Sequence, residues 1–452
     1  MGRDPGMAHA VDLLVRLGAR RAPELAGADV VFDATGQVPD AIRVRPRHPD
    51  DDWAASGAMA LTGRADGPPL RAPGAPASAA RGALLAFEAL LRHTGRDAAA
   101  DALPGPDVLG ERAALAGLSR RGPASAGGAF RLLPAVDGTL GLSLARPDDL
   151  DLLPALTEDP GPDSDPWETA ARWAARTPAD AARDRAALLG IPAAWIPPPG
   201  SPPQRDAQLT ARWGPEAAPG PFRLTRLGAG DGLPRRPLVA DLSSLWAGPL
   251  CAHLLGLSGA RIVKVESTRR PDGARRGTPA FYELLHAGHE SVAYDFTSAE
   301  GRAALRALLA RADVVIEASR PRAMAQLGID PRELAAHRPG LTWVSITAYG
   351  RTGPWSDRPG FGDDVAAAAG LVARDTEGPV PCGDALADPL TGLHAAVAAL
   401  ASLLGGGGLL VDVAMREVCL SALALGSEGV APRDVPCAPP HVARRHSDTR
   451  GG

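Results

Sequence analysis

The sequence predicts an α/β protein with a doubly wound, mostly parallel sheet over residues 237–425 and a smaller α+β region in the N-terminal half. Three observations carry this. From Pro237 onward, short apolar strands alternate with amphipathic helices. Several of those strands, "DVVIEAS" among them, read as continuous buried runs. The first 230 residues lack the alternation. Strand–helix alternation implies parallel pairing, because each crossover helix returns the chain to the end of the sheet where the previous strand began.

Taken in order, "PLVADLS" is a strand and "AGPLCAHLLGLSG" the helix after it. "RIVKVE" and "SVAYDF" are strands, and "SAEGRAALRALLARA" is a helix with Ser298 as its cap. "DVVIEAS" and "LTWVSITAYG" complete the strands, giving a Rossmann-like unit. Upstream, "ARGALLAFEALLRHTG" is an amphipathic helix, and "FRLLPAVDGTLGLSLA" is a hairpin turning at Asp137–Gly138. "PWETAARWAARTPADAARDRAALLG" is a helical pair. The expected organisation is a segment 1–50, an α+β region 51–200, a linker 201–236, the Rossmann-like domain 237–430 and a loose tail 431–452. "IPPPGSPPQ" and "GAGDGLPRR" mark the linker.

At 452 residues the chain is long enough for more than one core. Its net charge of −4 gives no basic excess for nucleic acid. Lys264 is the sole lysine and asparagine is absent, which with abundant Ala, Gly and Pro reads as the bias of a GC-rich genome. Four cysteines without C-x-x-C pairing argue against a disulfide framework or zinc site, and a reducing cytoplasm is expected. The N-terminus has no apolar h-region of a signal peptide, and no apolar run of about 18 residues marks a membrane span.

Two segments look alike: 57–95 and 370–406. Gly57 matches Gly370, Gly67–Pro68 matches Gly378–Pro379, and Gly82 and Gly95 match Gly392 and Gly405. Four residues before the helix glycine stands Ser78 in the first copy and Asp388 in the second.

Asp388 precedes Pro389 and an apolar helix, so its local pattern reads first as an N-cap with Pro at the first helical position, a reading compatible with a functional acid. A helix N-terminus favours the ionised carboxylate in both cases, and an ionised carboxylate is a nucleophile toward activated acyl groups. Position alone does not separate the two. Asp241 at the end of the first strand either orients the loop that follows or is structural. Other candidates have plain readings: His394 packs in the helix, Cys382 is an inert thiol, and Gly405–Gly408 is a helix-to-strand turn.

"LWAGP", "GARIVKVE", "AYGRTGP" and the Asp388-to-Gly392 spacing, in this order, resemble the family III coenzyme A transferases, which include the 2-methylacyl-CoA racemases. The likeness spans roughly 237–425, the family's N-terminal half. Residues 52–200 resemble its middle and C-terminal half, through "AVDGTLGLSLA" and "LLGIPAAWI", so the halves are fused or permuted. The resemblance implies that Asp388 is a catalytic nucleophile, with acyl-CoA and a carboxylic acid as substrates, no permanent cofactor, no metal, and a homodimer. By position it assigns CoA contacts to Ser244, Trp246, Arg269, Arg270, His289, Ala318, Ser319, Arg320, Gln326 and Thr347. Arg275 and Arg276 are further phosphate candidates. His289 and Gln326 stand where the family often has a basic residue. Racemase members carry a histidine where this chain has Asp363, before Asp364, which favours transfer over epimerisation. Epimerisation of a 2-methylacyl-CoA, or acyl-CoA binding without catalysis, are the alternatives.

Overall fold

The computed structural model describes residues 4–19, 32–33, 42–159, 165–196, 198, 206–230, 232, 234–426 and 433–442. Most of the proline-rich stretch after Ile196 and both ends of the expected tail lie outside them.

The N-terminal half opens with helices α1 (Pro5–Arg16), α2 (Pro49–Ala55), α3 (Pro76–His93) and α4 (Glu111–Ala116). A hairpin of β1 (Phe130–Ala135) and β2 (Gly138–Ser143) follows. Its turn is Val136–Asp137, one residue earlier than expected, because Ala135 pairs with Gly138 and draws that glycine into the strand. The helical pair is α5 (Pro166–Ala174) and α6 (Ala179–Leu189), and β3 (Ala193–Ile196) then adds antiparallel to β2. Inside the expected linker lie α7 (Ala207–Trp213) and β4 (Phe222–Arg226).

The second half runs β5 (Leu238–Asp241), α8 (Ala247–Leu257), β6 (Arg261–Ser267), α9 (Pro279–His286) and β7 (Glu290–Tyr294). It continues with α10 (Ala299–Leu309), β8 (Val314–Glu317), α11 (Pro321–Gln326) and β9 (Thr342–Thr347). After α12 (Gly362–Ala368) come a small hairpin, β10 (Val372–Asp375) and β11 (Gly378–Pro381), then α13 (Ala387–Leu404), β12 (Leu409–Ala414) and α14 (Met415–Ala424). Ser298 caps α10 as expected, its Oγ accepting from the Gly301 N–H at 2.9 Å.

The main sheet has the order β4-β12-β9-β8-β5-β6-β7. All neighbours are parallel except β4, which pairs antiparallel with β12. Central strands β8 and β9 are buried throughout, as sheets covered on both faces require. From β5 the chain winds outward through β6 and β7, then returns to the other side of β5 with β8. Loops leaving β5 and β8 therefore part company there, making the switch point where open α/β sheets form their ligand crevice.

One apolar core includes residues of α1, α2 and α3 together with the sheet, α8, α13 and α14, while β1–β3 and α5–α6 enclose another. The two similar segments are alike in structure. Each ends in an 18-residue helix, α3 or α13, and each helix glycine admits a close neighbour. A Cβ on Gly82 would lie 2.5 Å from the Gly6 carbonyl of α1; one on Gly392 would lie 2.6 Å from the Ala247 carbonyl of α8. Helix α13 is long and apolar enough to cross a membrane, although Asp388, Thr391 and His394 break its apolar run in the sequence. It is the buried centre of the fold.

Candidate active site

The loop leaving β5 is tied down by a buried charge cluster. Lys264, in the strand β6 motif "GARIVKVE", places Nζ 3.0 Å from Asp272 Oδ2 and 3.7 Å from Asp241 Oδ2, and donates to the Ser243 carbonyl. Asp272 Oδ1 accepts the N–H of Leu245 at 3.0 Å. Leu245 sits at φ +69°, a left-handed conformation that costs a non-glycine residue about 1–3 kcal/mol and persists only where neighbours enforce it. Trp246 follows, buried edge-on against Phe281 with ring centroids 5.1 Å apart.

The approach to α13 is clamped in the same way. Ala385 has φ +46°. Its N–H donates to Asp363 Oδ1 at 2.8 Å, and the Gly383 N–H donates to Thr62 Oγ1 at 2.8 Å. Between them, Asp384 receives a two-pronged contact from Arg112 of α4, with Nε to Oδ2 at 2.8 Å. The Arg112 guanidinium also lies 5.9 Å from the centre of the Trp246 ring. The N-terminal half thus supplies Thr62 and Arg112 to a loop that belongs to the second half.

Asp388 is not the helix cap. The N-cap is Leu386, α13 begins at Ala387, and Asp388 stands within the first turn with its N–H donating to the Ala385 carbonyl at 2.9 Å. The helix starts early because Asp363 and Arg112 hold the two preceding residues. Freed from capping, the Asp388 carboxylate is half-buried and accepts a backbone hydrogen bond from Gly362. A Cβ on Gly362 would fall 2.5 Å from Asp388 Oδ2, so only glycine lets that backbone approach.

Burial pushes the Asp388 carboxyl up to about 7, against the pull of Arg112 and with help from Asp363 and Asp384. Burial, reinforced by Asp384, raises Asp363 to about 6. Asp364 rises to about 8, mainly by burial, although the Ser143 hydroxyl (2.9 Å) and the Phe361 N–H (2.9 Å) donate to it. The first turns of α12 and α13 thus carry carboxyls poised near neutrality, a pattern that concentrates at reactive sites.

The CoA-contact candidates fall into two groups. Ser244, Trp246, Ala318, Ser319 and Arg320 flank the switch point, and Thr347 ends the next strand, β9. Ser244 is exposed; Ser319 donates through N–H and Oγ to Glu317 Oε2, and Thr347 Oγ1 accepts from the Gly350 N–H. Arg269 and Arg270 are exposed on the loop after β6, where Arg275 pairs with Glu266 at 3.0 Å and lies 4.3 Å from the centre of the Tyr282 ring. Gln326 ends α11, exposed. His289 is not brought to the strand ends: it precedes β7, its ring 5.5 Å from that of His286, with burial lowering its pKa.

Cys382 is buried with its thiol pushed up to about 12, in keeping with inertness. His394 is fully buried, with Nδ1 2.7 Å from the Leu390 carbonyl and Nε2 2.7 Å from His9 Nε2. Arg112, Asp384, Thr62 and Gly362 were not foreseen. Arg112 is separated from its partner by 272 residues and stands in an unremarkable helix, so no local signal marks it.

The fold and this site define an α/β protein with a half-buried carboxylate at a helix start and a mostly parallel sheet whose switch point lies between β5 and β8. Residues 237–433 match the family described as CoA-transferase family III. Succinyl-CoA–D-citramalate CoA-transferase of Chloroflexus aurantiacus is 31% identical over 42% of this chain and 52% of that protein. Succinate–glutarate CoA-transferase of Agrobacterium fabrum is 32% identical over 41% and 52%. A crystal structure of a CAIB/BAIF family protein from Brucella suis aligns at 31% identity over 43% of this chain and 56% of that one, with a TM-score of 0.39. The chain thus spans about half the length of the curated relatives it matches.

Proposed function

We propose that this protein is an enzyme that moves coenzyme A from an acyl-CoA to a carboxylic acid, with Asp388 as the nucleophile. The observation that carries the reading is a carboxylate released from capping, half-buried, and raised to about 7 at the start of α13. Such a group is half ionised at neutral pH and more nucleophilic than an ordinary aspartate. The relatives named as succinyl-CoA–D-citramalate and succinate–glutarate CoA-transferases support the reaction class.

Asp388 attacks the thioester carbonyl; the C–S bond breaks, leaving an aspartyl–acyl anhydride and the CoA thiolate. The thiolate attacks the aspartyl carbonyl, giving aspartyl-CoA and releasing the donor acid. The acceptor carboxylate attacks aspartyl-CoA, re-forming an anhydride and thiolate. The thiolate then attacks the acceptor carbonyl, producing the new acyl-CoA and freeing Asp388. Burial around Asp388 keeps water from these activated species. Ser244, Trp246 and the segment Ala318–Ser319 suit the pantetheine side of the crevice, and Arg269 and Arg270 the phosphates.

Transfer is favoured over epimerisation because Asp363 stands where the resemblance gives racemase members a histidine, and the His394 ring is engaged by Leu390 and His9. His394 is therefore no free base for the 2-carbon. Four unpaired cysteines suit the cytoplasm. A homodimer remains the proposed assembly, although the clamps on Asp384 and Gly383 come from the same chain.

The test is covalent trapping. Incubation with acyl-CoA followed by hydroxylamine should yield a hydroxamate at Asp388 by mass spectrometry, and none in Asp388→Asn. An unmodified Asp388 across a broad panel of donors would refute the mechanism.

A further inference from the structure

Thr391 stands on α13 one turn beyond Asp388 and is fully buried. Among the described residues, its Oγ is the one buried hydroxyl without a hydrogen-bond partner. Other buried hydroxyls are paired. Thr62 and Thr157 donate to the carbonyls four residues back, at 2.9 and 3.0 Å, and Thr342 and Ser402 bond each other at 2.8 Å. A hydroxyl taken from water without compensation is costly, so one kept inside a close-packed helix asks for a partner outside the resting fold.

Two observations aim this hydroxyl at Asp388. Helical side chains lean toward the N-terminus, and residues three apart share a face, with Cβ atoms about 5–6 Å apart. The matching helix α3 shows how closely such a pair converges. Ser78 and Arg81 hold the same two places there, four residues and one residue before the helix glycine. Both donate to a single oxygen, Asp52 Oδ2, at 2.6 and 3.0 Å. In α13 the Asp388 carboxylate is turned to the backbone of Gly362, and Thr391 is left unbonded. A donor that bonded the resting carboxylate would hold it back from attack, whereas one engaged only during the reaction lowers the barrier.

We propose that the Thr391 hydroxyl donates to the oxyanion that forms on the side-chain carbonyl of Asp388. The proposal rests on the transferase reading. That carbonyl becomes tetrahedral twice: when the CoA thiolate attacks the aspartyl anhydride, and when the acceptor carboxylate attacks aspartyl-CoA. Each time, the new bond to carbon pushes the C=O electron pair onto oxygen. The pair returns as the donor acid leaves in the first case and the thiolate in the second. The Thr391 proton stays on Thr391 throughout. The first and last attacks of the cycle place their oxyanion on the substrate carbonyl and make no use of it.

The experiment compares the intact chain with Thr391→Val and Thr391→Ser, using an acyl-CoA donor that labels wild-type Asp388. Valine keeps the shape and removes an unpaired hydroxyl, so the Tm of Thr391→Val should equal or exceed that of the wild type. In single turnover, CoA linked to Asp388 is read as a mass increment on the protein. It should form about 100-fold more slowly in Thr391→Val, the loss typical of one oxyanion donor, and at near the wild-type rate in Thr391→Ser. kcat should fall with it while KM holds. An unchanged rate in Thr391→Val overturns the proposal. So does a lowered Tm, which would give the hydroxyl to the fold, and so does a defect confined to KM, which would give it to substrate binding. A CoA adduct that forms equally fast in wild type and Thr391→Val sinks this proposal alone; no adduct in the wild type sinks the transferase mechanism and the proposal together.

Discussion

Arg112 and Asp384, 272 residues apart in sequence, meet in a forked contact with Nε to Oδ2 at 2.8 Å, four residues before Asp388. Asp384 is fully buried, so it depends on this partner. The same guanidinium opposes the burial that raises the Asp388 pKa. One side chain therefore links the fold of the two halves to the protonation of the proposed nucleophile.

Replacing Arg112 by Met should act on both. Asp384 would be left as a buried charge without its counter-ion, a loss of about 3–5 kcal/mol in chemical denaturation. The double variant Arg112→Met, Asp384→Leu should recover much of that stability. It should not restore Asp388: in both variants the pH at half-maximal kcat/KM should move above the wild-type value. Full recovery of the pH profile in the double variant would contradict the link.

In the proposed mechanism the ionised form of Asp388 is the nucleophile, and its carboxyl is raised to about 7. kcat/KM should fall tenfold per pH unit well below 7 and level off above it. A flat profile between pH 5 and 8 would show that a different group, or an unshifted one, limits the reaction.

Asp364 gives a stability test with the same sign of shift. Its carboxyl holds a proton in the folded protein up to about pH 8, whereas an unfolded aspartate releases it near pH 4. Its contribution to stability is complete below about pH 4 and is lost as pH rises toward 8. Asp364→Asn keeps an acceptor for the Ser143 hydroxyl and the Phe361 N–H but cannot ionise. The variant should therefore gain on the wild type as pH rises from 5 to 9, measured as the difference in Tm. A difference that does not change with pH would refute the shift.

How far the sequence discloses this arrangement follows from what each part packs against. Strands β8 and β9 are legible because both faces are buried, leaving unbroken apolar runs. Edge strand β4 was hidden in a linker because only Phe222 of "FRLTR" is buried. Asp388 was legible as an important acid, yet its position within the helix was not, since Asp363 and Arg112 set the start of α13 from elsewhere in the chain. The repeat was readable in its glycines, and the structure explains its divergence. Ser78 Oγ donates to Asp52 Oδ2 at 2.6 Å, and Arg81 ties Asp52 to Asp4. The first copy is thereby occupied by its own ion-pair network.

His9 and His394 join α1 to the central helix. A carbonyl can only accept, so His394 donates through Nδ1 to Leu390, and its Nε2 accepts from the Nε2–H of His9. Burial lowers both, His394 to about 4. Their contribution to stability is complete above about pH 6.5 and is lost as pH falls toward 4. Either single change to Leu leaves a buried nitrogen unpaired at about 1–3 kcal/mol, whereas changing both removes donor and acceptor together. The double variant should be more stable than the sum of the singles predicts, and less sensitive to acid. Simple additivity would mean that the two rings do not depend on each other.

Gly362→Ala is the sharpest probe of geometry at the proposed nucleophile. Its methyl group would lie 2.3 Å from the Ala385 carbonyl and 2.5 Å from Asp388 Oδ2, so the start of α13 must shift. Overpacking of this kind costs about 1–3 kcal/mol, which a large domain survives. A displacement near 1 Å at a reacting group costs about a hundredfold in rate. The variant should fold and lose at least that much kcat. Gly67→Ala, whose Cβ would meet nothing closer than Arg64 Cβ at 3.4 Å, should keep both stability and rate. If Gly362→Ala folds with wild-type activity, the carboxylate that reacts is not the one beside Gly362, and the nucleophile must be sought among the other acids of the cluster.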